Sequence, residues 1–177
     1  QLLAAWPDLL LVLLPRHPQR FDTVAELCHG AGLALARRSQ QQPVTANTEV
    51  YLADTMGEAL LLMAVADLVV MGGTFIAHGG QNPLEPAALG KPVLLGPSTY
   101  NFAEAVRLLL AAGAARQFVS ITELQAGLGE LLADVQQRQR MGQQALAVMA
   151  ANRGALTHTL EALARPLAAS AGERFGA

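Results

Sequence analysis

Cysteine is almost missing: Cys28 stands alone among 177 residues, which excludes a disulfide framework and a cysteine-built zinc site. Lysine is almost missing too, since eleven of the twelve basic residues are Arg and only Lys91 is Lys. Charged residues make up 15% of the chain and the net charge is -2, so no global field attracts nucleic acid. The four histidines, at positions 17, 29, 78 and 158, have no ligand-like spacing, and no metal is expected. There is no G-x-G-x-x-G after the first strand, no Walker lysine motif and no G-x-S-x-G elbow. Their absence argues against a dinucleotide dehydrogenase, a P-loop enzyme and a serine hydrolase. No basic region precedes an apolar stretch, so no signal peptide is read. The stretch 59–77 is apolar enough to suggest a membrane span, but Asp67 interrupts it and Gly72-Gly73 breaks it. It reads instead as two buried elements.

What the chain does have is apolar residues, 52% of the total, enough for one compact soluble domain over residues 1–177. Its start at Gln1 rather than Met reads as a domain cut from something larger. Short apolar runs alternate with helical patterns. Strands are expected at Leu9–Leu14, Leu33–Ala36, Val50–Ala53, Leu68–Met71, Pro92–Leu95 and Gln117–Val119. Helices are expected over Phe21–Gly30, Thr55–Ala66, from Pro83, over Phe102–Ala112, and from Ile121 onward. Cys28 falls in the first helix as a small core residue. Unbroken apolar strands alternating with helices predict an α/β fold, a doubly wound parallel sheet covered on both faces. In such a fold the ligand lies beyond the carboxyl ends of the strands, where the polar, Gly-rich and Pro-rich segments of this sequence cluster.

Four loops lie there. The first, Pro15 to Arg20, is stiffened by Pro15 and Pro18, and its Arg16 either forks onto a phosphate or is simply solvated. The second, Asp54-Thr55-Met56-Gly57-Glu58, has the spacing of a capping box between Thr55 and Glu58, so a helix is expected to start there. Gly57 would let a ligand approach the backbone. The third, Gly72 to Gln81, carries four glycines and leads into Asn82-Pro83-Leu84-Glu85. This reads as a helix start with Asn82 as cap. Glu85 is either a capping carboxylate or an acceptor for two ribose hydroxyls, and the Gly72-Gly73-Thr74 turn suits a phosphate. The fourth, Gly96 to Glu104, repeats the cap logic with Asn101 and Glu104, and its aromatics are expected to pack on the sheet. No general base stands out in these loops, which suggests a domain that holds a nucleotide rather than one that performs chemistry alone.

Several of these segments, taken in order, resemble the 3-deoxy-D-manno-octulosonic acid (Kdo) transferase family. They are Arg16-His17-Pro18, Asp54-Thr55-Met56-Gly57-Glu58, Gly79-Gly80-Gln81-Asn82-Pro83-Leu84-Glu85-Pro86-Ala87 and Gly90-Lys91-Pro92-Val93-Leu94-Leu95-Gly96-Pro97, with Asn101-Phe102. The resemblance spans roughly Leu9 to Leu132. It implies the Rossmann-like C-terminal half of a GT-B glycosyltransferase, an inverting and metal-independent enzyme without cofactor. Its donor would be CMP-Kdo and its acceptor a lipid A precursor, at the cytoplasmic face of a Gram-negative inner membrane. Cytidine contacts would fall on Pro15 and Arg16, on Met56, Gly57 and Glu58, and on Asn82, Pro83, Leu84 and Glu85, with Gly73 and Thr74 near phosphate or sugar. The family's catalytic base and membrane anchor belong to an N-terminal domain outside this sequence, so no catalytic residue is expected in this chain. A UDP-sugar transferase or epimerase of the same architecture, or a non-catalytic nucleotide-binding module, are the alternatives. Whether the helices after Ala133 cover this sheet or reach back to the missing domain is left open.

Overall fold

The computed structural model describes residues 2–152. A short helix α1 (Leu2–Ala5) leads into β1 (Leu11–Leu13), followed by α2 (Phe21–Gly30), β2 (Leu35–Arg37) and β3 (Val50–Leu52). Then come α3 (Ala59–Val65), β4 (Val69–Val70), α4 (Leu84–Ala88), β5 (Val93–Leu95), α5 (Ala103–Ala111) and β6 (Ala115–Gln117). Helices α6 (Ile121–Ala133) and α7 (Val135–Ala151) complete the described part. All four strand pairings are parallel, as the unbroken apolar runs demand. The strands hydrogen-bond in two groups of three, ordered β1-β3-β2 and β4-β5-β6.

The second group is covered on both faces. Val93 and Leu95 of β5 turn to one side, where Val106 and Leu109 of α5, Ala87 of α4 and Ala145 of α7 close over them. Leu94 turns to the other side, against Phe118, Leu124 and Leu131 with Met141, following the two-residue period of a strand. Two glycines let these layers approach. A Cβ on Gly142 would sit 2.2 Å from the Gly90 carbonyl oxygen, and one on Gly127 would sit 2.4 Å from the Phe118 ring. In the first group β3 is the buried strand, with Val50 and Leu52 fully enclosed, while Ala25 and Cys28 of α2 are buried beside it. Burial pushes the Cys28 thiol pKa up, in keeping with a core role.

From β1 onward the element order matches the sequence reading, to which the structure adds α1, and several boundaries move. The last strand comes two residues early, at Ala115–Gln117, because Gly113 in a left-handed conformation ends α5 sooner. The second helix starts at Ala59 rather than Thr55, since Gly57 has φ +87° and cannot lie inside a helix. The stretch 59–77 does form two elements, but α3 buries none of its residues. It packs against α4 and leaves Leu60, Leu61 and Val65 facing outward. The physical reason is the sheet order: α3 connects β3 of one group to β4 of the other, and β1 and β4 are not hydrogen-bonded into one surface beneath it. The helical region after Ile121 divides at Asp134, whose carboxylate accepts the Gln137 amide at 2.8 Å and starts α7. Helix α7 covers the β4-β5-β6 sheet; His158 and the remaining C-terminal residues lie outside the described residues. No helix of the described residues is long and apolar enough to cross a membrane.

Candidate functional site

The second loop is the most firmly built. Asp54 follows β3, is almost fully buried, and accepts hydrogen bonds from three atoms at the end of β2 and just beyond it. Arg37 Nε donates to it at 2.6 Å, the Ser39 amide at 2.7 Å and the Ser39 hydroxyl at 2.6 Å. Arg37 also reaches Asp22 at 2.8 Å. Burial alone would raise the Asp54 pKa, but the Ser39 bonds and Arg37 outweigh it and hold the carboxyl below its ordinary value. Four residues on, Glu58 meets Arg38 in a forked pair, with NH2 at 2.7 Å and Nε at 3.1 Å. The Thr55 hydroxyl donates to the same carboxylate. Arg38 first and Thr55 second bring the Glu58 pKa down to about 2. Thr55 and Glu58 therefore do meet, but side chain to side chain; neither caps α3. Between these two anchored acids, Met56 and Gly57 are exposed, and nothing lies within 4 Å of a Cβ built on Gly57.

The first and third loops touch. Arg16 NH1 donates to the Gln81 side-chain oxygen, so Arg16 lies on the same rim as the segment Asn82–Glu85 that follows. The third loop closes on itself through Gly80 N to Gly73 O at 3.2 Å and Gln81 N to Gly72 O at 3.1 Å. It is also bound to the fourth loop: Gly79 N donates to Ser98 Oγ at 3.1 Å and Asn101 Nδ2 to the His78 carbonyl at 2.9 Å. A Cβ on Gly79 would fall 2.5 Å from the Asn101 side chain, so only glycine permits that approach. Asn101 is thus a loop tie rather than the expected helix cap, and Glu104 pairs on the surface with Arg107 at 2.6 Å. Of the two aromatics, Phe102 packs on the core while Tyr100 is exposed.

Thr74 requires a correction. It is fully buried, its hydroxyl donates to the Met71 carbonyl at 2.7 Å and accepts the Gly96 amide at 2.8 Å. That hydroxyl joins the ends of β4 and β5 and is not presented to a ligand. Gly73, at φ +74°, turns the chain beside it. Asn82 Oδ1 accepts the Leu84 amide at 3.1 Å, but α4 begins at Leu84 with Pro83 at the cap position, one residue later than the expected start at Pro83. Pro83 is fully buried and Leu84 half-buried, and Pro15 is half-buried beside the exposed Arg16. Glu85 is half-buried, receives Asn82 Nδ2 at 3.3 Å, and has no ion-pair partner among the described residues.

The structure therefore ties the first loop to the third and the third to the fourth. It anchors the second loop separately, to β2. Arg37, Arg38 and Ser39 hold the second loop and were passed over by the sequence reading; the only signal was two consecutive arginines and a serine where an apolar strand ends. A shallow depression between β6 and α6, lined by Arg116, Phe118 and Gly127 among others, contains none of the predicted contacts. There Arg116 lies 5.3 Å from the centre of the Phe118 ring and pairs with Glu130.

A parallel α/β domain places its ligand site beyond the carboxyl ends of the strands, and the comparisons with known families define the class. The chain belongs to the glycosyl transferases group 1 family, whose profile matches residues 32–148. Within that class it is similar to Kdo transferases. It is 40% identical over 163 residues to the 3-deoxy-D-manno-octulosonic acid transferase of Haemophilus influenzae, covering 92% of this chain and 38% of that protein. It is 46% identical over 162 residues to the one from Bordetella pertussis, covering 90% and 38%. The chain thus spans about two fifths of the length of these curated relatives. Among solved structures it matches the C-terminal CMP-Kdo binding domain of WaaA from Acinetobacter baumannii. That match has a TM-score of 0.80 and 34% identity, over 84% of this chain and 77% of the other. The expected Rossmann-like fold of a GT-B C-terminal half is the fold observed.

Proposed function

We propose that this chain is the donor-binding half of an inverting, metal-independent glycosyltransferase that moves Kdo from CMP-Kdo to a lipid A precursor at the cytoplasmic face of a bacterial inner membrane. The observation that carries the reading is the contact between Arg16 and Gln81, which brings the loop after β1 to the segment Asn82–Glu85. A single nucleotide at that rim is within reach of both. Arg16 has five N–H donors and gives one to Gln81, so the others remain for a phosphate. Glu85 carries a carboxylate that no cation neutralises among the described residues, which suits it to accept the two ribose hydroxyls. Pro15, Met56, Gly57, Asn82, Pro83 and Leu84 complete the cytidine contacts by family resemblance, largely through backbone and packing.

In the reaction the acceptor hydroxyl attacks the anomeric carbon of Kdo, the bond from that carbon to the phosphate oxygen breaks, and CMP leaves with the electron pair. The acceptor proton goes to a base in the N-terminal domain of the longer protein, which also supplies the membrane contact. This chain contributes by stabilising charge on the departing phosphate through Arg16 and by fixing the donor in place. Alone, it is expected to bind CMP weakly and to transfer no sugar. Calorimetric titration with CMP, UMP and AMP tests this, and Glu85→Ala is expected to remove most CMP binding while Glu104→Ala, at a surface pair remote in role, leaves it intact. Equal binding of all three nucleotides, no binding of any, or identical behaviour of the two variants would overturn the assignment.

A further inference from the structure

We propose that Arg38 is a positioning residue for the nucleotide site, which holds the loop Thr55–Glu58 through the Glu58 carboxylate, and that this carboxylate braces the loop instead of touching the ligand. This rests on the donor-site reading above for its ligand, but not for its geometry.

Both oxygens of Glu58 are already engaged by the protein. Oε1 accepts Arg38 NH2 at 2.7 Å and Nε at 3.1 Å, and Oε2 accepts Arg38 Nε at 3.1 Å together with the Thr55 hydroxyl. A ribose or base donor would have to displace one of these charge-assisted bonds, which are about twice as strong as neutral ones. Glu85 differs in kind, because among the described residues Asn82 is its one hydrogen-bond partner and no cation pairs with it.

The clamp has two ends. Arg37 and Arg38 are consecutive, and successive residues leaving a strand point to opposite sides. Arg37 takes Asp54 at the start of the loop and Arg38 takes Glu58 at its end. The Arg38 amide donates to the Leu52 carbonyl at 2.9 Å, so the arginine is itself fixed to the last residue of β3. Between the two anchored acids the exposed backbone of Met56 and Gly57 has a defined path, with the space above Gly57 open. A pair as exposed as Arg38 with Glu58 contributes little to global stability; its effect is to keep a four-residue loop in one shape for a ligand to meet, which removes an ordering cost from binding.

The experiment uses Arg38→Ala, Arg38→Lys, Glu58→Ala and the Arg38→Ala/Glu58→Ala double variant of this chain. Each is measured for backbone order parameters by NMR relaxation, thermal midpoint and calorimetric CMP binding. Arg38→Ala is expected to lower the order parameters of Met56–Glu58 with those of Val50 and Leu94 unchanged, to leave the midpoint in place, and to weaken CMP binding about tenfold. Arg38→Lys should recover part of that loss, since it keeps the charge without the fork. The double variant should bind no more weakly than either single one, because both remove the same brace. Unchanged order parameters in Arg38→Ala overturn the clamp whether or not CMP binds. A looser loop with undiminished CMP affinity overturns its role in binding. Glu58→Ala binding more weakly than Arg38→Ala means that Glu58 meets the ligand directly. If the unaltered chain binds no CMP, the donor-site reading falls and the ligand role of Arg38 falls with it, while the order parameters alone decide the brace.

Discussion

Val50 and Val93 each open the middle strand of a three-stranded parallel sheet, and each is fully buried, yet their surroundings differ. Val93 lies between layers of aliphatic side chains, with α4, α5 and α7 on one side of its sheet and α6 on the other. Val50 belongs to a sheet with an edge strand, β1, that has no buried residue. The carboxyl ends of its other strands are joined by ions: Arg37 with Asp54 and Asp22, and Arg38 with Glu58. The β4–β6 half is covered by apolar side chains on both faces, while the β1–β3 half adds directed polar bonds at its strand ends to a smaller apolar core. Apolar burial tolerates small shifts, whereas forked ion pairs specify one geometry. The candidate contacts follow this division, with Met56 and Gly57 on the ion-bound half and Asn82 to Glu85 on the apolar one.

The largest test of this contrast is Leu94→Ala. Leu94 is fully enclosed against Phe118, Leu124 and Leu131, and the substitution is expected to cost about 3 kcal/mol, read in urea unfolding as a loss across both halves. A loss confined to β4–β6 would show that the halves unfold separately. Asp54→Ala comes next, at about 2 kcal/mol, because it strands the Ser39 amide and hydroxyl and leaves Arg37 with Asp22 alone. Its effect should appear first as faster hydrogen exchange at Ala36 and Val50; equal acceleration at Leu94 would break the comparison. The smallest effect is that of acid. Asp54 and Glu58 both have pKa values lowered by folding, so the stability they contribute is complete above their unfolded values, about 4, and is lost as pH falls through the folded ones. For Glu58 that window extends down to about 2. Between about pH 4 and 2 the amides of β2 and β3 should lose protection before those of β5, and simultaneous loss would mean that the ion pairs do not distinguish the halves.

The order of strands and helices was legible because parallel strands buried on both sides leave unbroken apolar runs, as at Val50–Ala53 and Pro92–Leu95. The rim location of the loops followed from the same pattern. What escaped depended on partners distant in the chain. Nothing local reveals that Arg37 meets Asp54 or Arg38 meets Glu58, and the Thr55–Glu58 spacing suggested a cap that Arg38 and Gly57 prevent. Thr74 looked like a ligand-facing hydroxyl until its two backbone partners, Met71 and Gly96, were in view. The Ser120–Glu123 spacing was readable and went unused: Ser120 Oγ accepts the Glu123 amide at 3.1 Å and starts α6. The apolar sequence of α3 promised a buried helix, but burial depends on a surface beneath it, and that is a property of strand order.

The contact between Gly142 and Gly90 also bears on how the rim is supported. Two main chains meet there without any side chain between them, immediately after the helix that begins at Leu84 and carries Glu85. A tilt of the long helix α7 cannot be absorbed by a rotamer at that junction, and would be passed as a rigid displacement to α4. The carboxylate at position 85 thereby has a stiff mechanical link to α7, much as a lever is fixed at its fulcrum.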